Sequence, residues 1–171
     1  KQNIVNRGYR TPLGHKNGLN GEFKLLDTLK NLKVKYVSSD LRDTNDSLHP
    51  KLITGKGEIR QPYRYENGLL EIPAIGWQDT AFSGTSNTKL FEKPPTNFSE
   101  IISYYHSLFS EAKEISQKIN RDIFLGLVMH PYDVSFYDKE NSLFPKLQEK
   151  LEAVGGTFHT YEEVSEHFHS V

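Results

Sequence analysis

The run DIFLGLVMHP, Asp122 to Pro131, decides how the rest of the chain is read. It is apolar almost without interruption until His130, the pattern of a central parallel strand covered on both faces. Upstream, TNFSEIISYYHSLFSEAKEISQKIN (Thr96 to Asn120) spaces Phe98, Ile101, Ile102, Tyr105, Leu108, Phe109, Ala112, Ile115 and Ile119 along one helical face, with Asn97 and Glu100 as a capping box. Downstream, NSLFPKLQEKLEAV (Asn141 to Val154) sets Leu143, Leu147, Leu151 and Val154 on one side and stops at Gly155 and Gly156. The order is helix, strand, helix.

The same alternation extends outward. NIVNRGY (Asn3 to Tyr9) reads as a strand, and Phe23, Leu25, Leu26, Leu29 and Leu32 then predict a helix with Asn20 as its N-cap. VKYVSS (Val34 to Ser39) is the next strand, followed by a polar connection running to about Asn67. GLLEIPAI (Gly68 to Ile75) gives a further strand before a second long loop, Gly76 to Pro95. The chain closes on a short strand, TFHT (Thr157 to Thr160), and a helix opened by a capping box of Thr160 and Glu163. Five strand units alternating with helices predict an α/β fold with a parallel sheet, open or closed into a barrel.

In either form the site lies at the carboxyl ends of the strands. The residues expected there are Arg10, Asp40 and Asp43, Trp77 and Asp79, and His130: an arginine, carboxylates, an aromatic wall and an imidazole.

Composition bounds the alternatives. A chain of 171 residues with 36% hydrophobic content suits one domain with one core. With 21 basic against 22 acidic residues and a formal charge of −1, nothing points to nucleic acid or an anionic membrane as the main partner. No apolar run approaches the ~20 residues needed to span a bilayer, and KQNIVNRGYR lacks the apolar core of a secretory signal. The absence of cysteine excludes disulfides, thiolate metal sites and cysteine nucleophiles.

Three short motifs, in order, carry a resemblance. GYRTPLG (Gly8 to Gly14) has Arg10 and Pro12 as R-x-P, SSDLRDT has Asp40 and Asp43 as D-x-x-D, and LVMHP has Leu127, His130 and Pro131 as L-x-x-H-P. Together with GLLEIPAIGW and the closing GGTFHTYEEVSEHF, the set resembles the polysaccharide deacetylase family, carbohydrate esterases that remove N- or O-acetyl groups from chitin, peptidoglycan and xylan. It departs at Thr44, where the family's fourth motif has tryptophan, and the family's first two motifs, which supply the catalytic base and the metal ligands, are not present.

The resemblance implies the C-terminal five units of a distorted (β/α) seven-stranded barrel, residues 1–171 forming part of one catalytic domain. The first two strand units would be contributed by the same or a separate chain, and something should pair with Ile4 to Tyr9. It implies a divalent metal, zinc most commonly, with ligands outside this chain, so that the chain alone is expected to be inactive. The substrate implied is an acetylated carbohydrate, and the location implied is secreted or at the cell envelope.

By resemblance His130 protonates the leaving group, with Asp79, Asp40 or Asp43 holding its ring, and Arg10 pairs with a catalytic aspartate of the absent first motif. Pro12, Trp77 and Leu127 would line the substrate pocket. Each has a plainer reading: a strand-end histidine bonded to backbone, a surface arginine, a core tryptophan, a packed leucine. His167 and His169 lie two apart on an expected helix and point apart, a poor metal pair. Two other functions fit less of the pattern: a relative hydrolysing a small cyclic amide, and a non-catalytic barrel binding glycans through Trp77, Tyr63, Tyr65 and Tyr132.

Overall fold

The computed structural model describes residues 7–40, 61–75, 78–85, 95 and 97–169. It is mixed α/β, and its described residues gather into two compact units, each with an apolar cluster of its own. Asp43, Trp77 and Ile4 lie outside the described residues.

The first unit spans 1–44, 53–74 and 159–171. Strand β1 (Gly8–Leu19) leads through helix α1 (Phe23–Asn31) to β2 (Tyr36–Asp40), and the two strands pair in parallel. A hairpin of β3 (Tyr63–Arg64) and β4 (Leu70–Glu71) completes the sheet in the order β1-β2-β4-β3, with β4 parallel to β2 and β3 antiparallel to β4. The described sheet is open rather than closed into a barrel. Leu19, Leu26, Leu29, Val37, Tyr65 and Leu69 form its apolar cluster. Helix α6 (Tyr161–His169) joins this unit through the stacked pair Tyr36–Tyr161, with ring centres 6.3 Å apart, and the ion pair of Arg7 with Glu162.

GYRTPLG behaves differently from the expected strand end. Gly8, Tyr9 and Arg10 pair with Tyr36, Val37 and Ser38, and pairing resumes only at His15 with Asp40. Residues 11–14 therefore bulge out against Ser39 alone. Pro12 has no N–H to give a ladder, and Gly14 takes the left-handed conformation (φ 66°) that lets the strand return. Gly8 is required for a second reason: a Cβ there would lie 2.3 Å from the Tyr36 ring.

The second unit spans 45–52 and 75–158. Its described elements are helices: α2 (Gln78–Ser83), α3 (Phe98–Ile119), α4 (Pro131–Tyr137) and α5 (Leu143–Ala153). The Asn97 side chain caps α3 by accepting the Glu100 N–H at 3.0 Å, as its spacing predicts. Ile101, Tyr105, Leu143 and Leu147 are almost wholly removed from water between α3 and α5, and each of the three aliphatic side chains stabilises the unit by roughly 1.5–3 kcal/mol.

Several expected elements differ. Residues 122–130 form no regular strand; Ile75 N–H donates to the Gly126 carbonyl at 3.0 Å, and Ile123, Leu125, Leu127 and Met129, alternate residues of an extended run, pack on the helical core. These four side chains are only half-buried there. TFHT is not a strand either, although the Thr160–Glu163 capping box forms, with Thr160 N–H donating to Glu163 Oε2 at 2.7 Å and Glu163 N–H to Thr160 Oγ1 at 3.2 Å. Asn20 does not cap α1, whose N-cap is Glu22; the Asn20 amide donates to the Asn17 carbonyl instead. Helices α2 and α4 and strand β3 fall in stretches the sequence reads as loops.

Candidate functional site

Helix α4 starts where Pro131 permits it, since proline's fixed φ and missing N–H suit the first helical turn, and this makes His130 the N-cap. Asp133 then stands in the first turn, three residues on. Helix α2 brings Asp79 in its own first turn.

The three side chains converge. His130 Nδ1 lies 3.0 Å from Asp79 Oδ2, and the same oxygen accepts the His130 backbone N–H. Two bonds from one residue to one oxygen fix both the direction and the rotation of the ring. Asp79 is completely buried, whereas the His130 side chain is half exposed. Thr80 N–H holds the other Asp79 oxygen at 2.9 Å.

Burial pushes the Asp79 carboxyl above the usual carboxylate range, and it outweighs the His130 N–H, the His130 charge, the imidazole hydrogen bond and the Thr80 N–H, all of which pull it down. Asp133 is the residue that sequence reasoning missed. Its Oδ2 faces His130 Nδ1 at 3.8 Å, while its Oδ1 accepts the hydroxyls of Ser83, at 2.6 Å, and Thr85. The signal was available in HPYD, because residues three apart at a helix start share a face.

Of the partners the sequence allows His130, the described structure brings Asp79 to it. Asp40 belongs to the first unit, where it is buried, accepts the Tyr63 hydroxyl at 3.2 Å and donates its backbone N–H to Glu71. Arg10, also there, donates to Ser38 Oγ at 2.9 Å beside the Tyr161 phenol. Pro12 is exposed on the bulge, and Leu127 packs on the helical core of the second unit.

A second buried acid escaped sequence reading because it lies inside a strand pattern. Glu71 of β4 is fully buried and accepts four hydrogen bonds: Ser39 N–H (2.8 Å) and Asp40 N–H (2.9 Å) on Oε1, Ser39 Oγ and the Tyr65 hydroxyl (each 2.6 Å) on Oε2. Burial first, and then the Glu71 charge and hydrogen bond, push the Tyr65 phenol up to about 12. These partners are neutral groups closed off from water, so Glu71 ties β2 to the β3–β4 hairpin. Its surroundings offer no route for chemistry.

Asp79 and His130 together can hold and transfer a proton. With Nδ1–H directed at the carboxylate, Nε2 is the ring atom left for exchange. No helix among the described residues is long and apolar enough to cross a membrane. No family model matches the chain, and neither does any curated protein or solved structure.

Proposed function

We propose that the chain is part of a hydrolase that removes acetyl groups from an acetylated carbohydrate, with His130 as the proton donor to the leaving atom and Asp79 as the carboxylate that holds its ring. The observation that carries this reading is the 3.0 Å contact of His130 Nδ1 with the buried Asp79, on a ring that remains half exposed. The ordered motifs R-x-P, D-x-x-D and L-x-x-H-P support the substrate class by resemblance, and the parallel β1, β2 and β4 strands are compatible with a fragment of a (β/α) barrel.

Hydrolysis of an acetamide breaks the C–N bond, places the water hydroxyl on the acyl carbon and leaves an amine that needs a proton. Protonated His130 supplies it from Nε2 while Asp79 holds the ring in place. A positioned acid of this kind contributes ~10²–10⁴ in rate. Beside it on α4, Tyr132 and Phe136 form an exposed edge-to-face pair with ring centres 5.0 Å apart, a surface suited to the apolar face of a sugar.

The zinc implied by the resemblance is held by a carboxylate and two histidines expected outside this chain. Among the described residues the converging His, Asp and Glu side chains are Asp79, His130 and Asp133, which with a single histidine are not that centre, and no step is routed through it. Arg10 and Asp40 enter the proposal by resemblance alone.

The test is acetate release from acetylated chitooligosaccharides, with zinc supplied, by this chain completed with the first two strand units and their metal ligands from the same or a separate chain; the chain alone should release none. His130→Ala should lower turnover by ~10²–10⁴. Unchanged turnover removes His130 from the mechanism, and no release from the unsubstituted completed protein removes the deacetylase reading.

A further inference from the structure

We propose that Asp79, His130 and Asp133 form a binding site for a borderline divalent cation of the zinc type. This site differs from the two-histidine set discussed above, and the inference does not depend on the deacetylase reading.

The argument begins with an imbalance. Two carboxylates, one fully buried and the other 6% exposed, direct an oxygen each at the same ring nitrogen, at 3.0 and 3.8 Å. An imidazole nitrogen carries at most one proton and can donate it to one of them. The second acid is left facing a lone ring edge and a like charge, an arrangement that a divalent cation neutralises and a single proton does not.

The geometry suits such an ion. The three donor atoms all lie within 4.8 Å of one another. Zinc bonds to nitrogen and carboxylate oxygen of about 2.0–2.2 Å in a tetrahedral site put neighbouring donors about 3.4 Å apart. The two separations from His130 Nδ1, 3.0 and 3.8 Å, bracket that value.

Both carboxylates are also held as ligands usually are. The outer oxygen of Asp79 is fastened by Thr80 N–H, and that of Asp133 by the Ser83 and Thr85 hydroxyls, leaving one oxygen of each aimed inward. Three protein donors leave a fourth position open, and the half-exposed ring gives the ion access from water.

An independent observation points to the same place. The buried hydroxyls of Tyr105 and Tyr137 have no hydrogen-bond partner among the described residues, and both lie in the field of Asp79, Tyr137 also in that of Asp133. An unpaired buried hydroxyl costs about 1–3 kcal/mol. A cation with its own water beside these acids would give such hydroxyls an oxygen to bond.

The experiment titrates zinc into the full chain by calorimetry and follows the His130 imidazole nitrogens by NMR. A saturable single-site isotherm is expected, with the His130 Nδ1 resonance shifting in step with it. Asp133→Asn, which keeps the shape of the side chain, should weaken zinc at least about tenfold, whereas His167→Ala should leave the affinity unchanged. No saturable binding, or binding with the His130 resonance unmoved, overturns the proposal. Because the NMR readout needs no substitution, it stands even if Asp133→Asn fails to fold. Acetate release is not measured, so failure here and failure of the deacetylase reading are separate results.

Discussion

Glu71 and Asp79 are both buried acids, and they have opposite surroundings. Glu71 sits within a sheet, its two oxygens filled by two backbone N–H groups and two hydroxyls that stay neutral near pH 7. Asp79 sits on a short helix and shares its inner oxygen with a titratable ring that reaches solvent. Burial depth alone therefore does not separate the two acids. What separates them is whether the partner can change charge and meet water.

The comparison can be broken by substitution. The largest effect expected is Glu71→Ala, which strands four donors between strands and should destabilise the protein by about 4 kcal/mol in urea denaturation. A loss below about 1 kcal/mol would mean that the Glu71 network does not hold the sheet together.

A smaller effect concerns pH. The Tyr65 phenol is raised from the ordinary value of 10.0 to about 12, so the folded state keeps a proton that the unfolded state gives up earlier. Its stabilisation is complete below pH 10 and is lost as pH rises from about 10 to about 12. Tyr65→Phe should flatten that decline when urea midpoints are compared across the window, and an unaltered slope would place alkaline lability elsewhere. The smallest effect belongs to the second unit's longest helix: Asn97→Ala removes the cap on Glu100 N–H and should cost about 1 kcal/mol by thermal melting.

Legibility followed the range of the interaction. The Asn97 cap on Glu100 and the Thr160–Glu163 capping box were readable because cap and partner are three residues apart. The α1, α3 and α5 helices were readable from spacing of the same range, although Asn20 lost the α1 cap to a turn at the end of a strand far longer than expected. Asp122 to Pro131 misled, because a continuous apolar run does not by itself make a strand: its alternate residues lie half-buried on a helical core.

In the candidate site, His130 and Asp79 were each legible as strand-end polar residues, but their pairing spans 51 positions and had equal competitors in Asp40 and Asp43. Asp133 was passed over because the stretch after Pro131 reads as a loop unless the proline is taken as the first turn of a helix.

By itself the sequence determined the mixed α/β character, the parallel character of β1 and β2, the caps at Asn97 and Thr160, and the residue types available for proton transfer. These follow from period, turn chemistry and composition, all of which are local. Only the tertiary structure decided which carboxylate meets His130, that GYRTPLG bulges out of a continuing strand, and that Glu71 is enclosed while His130 stays open. Those depend on which surfaces bury one another, and distant segments settle that together.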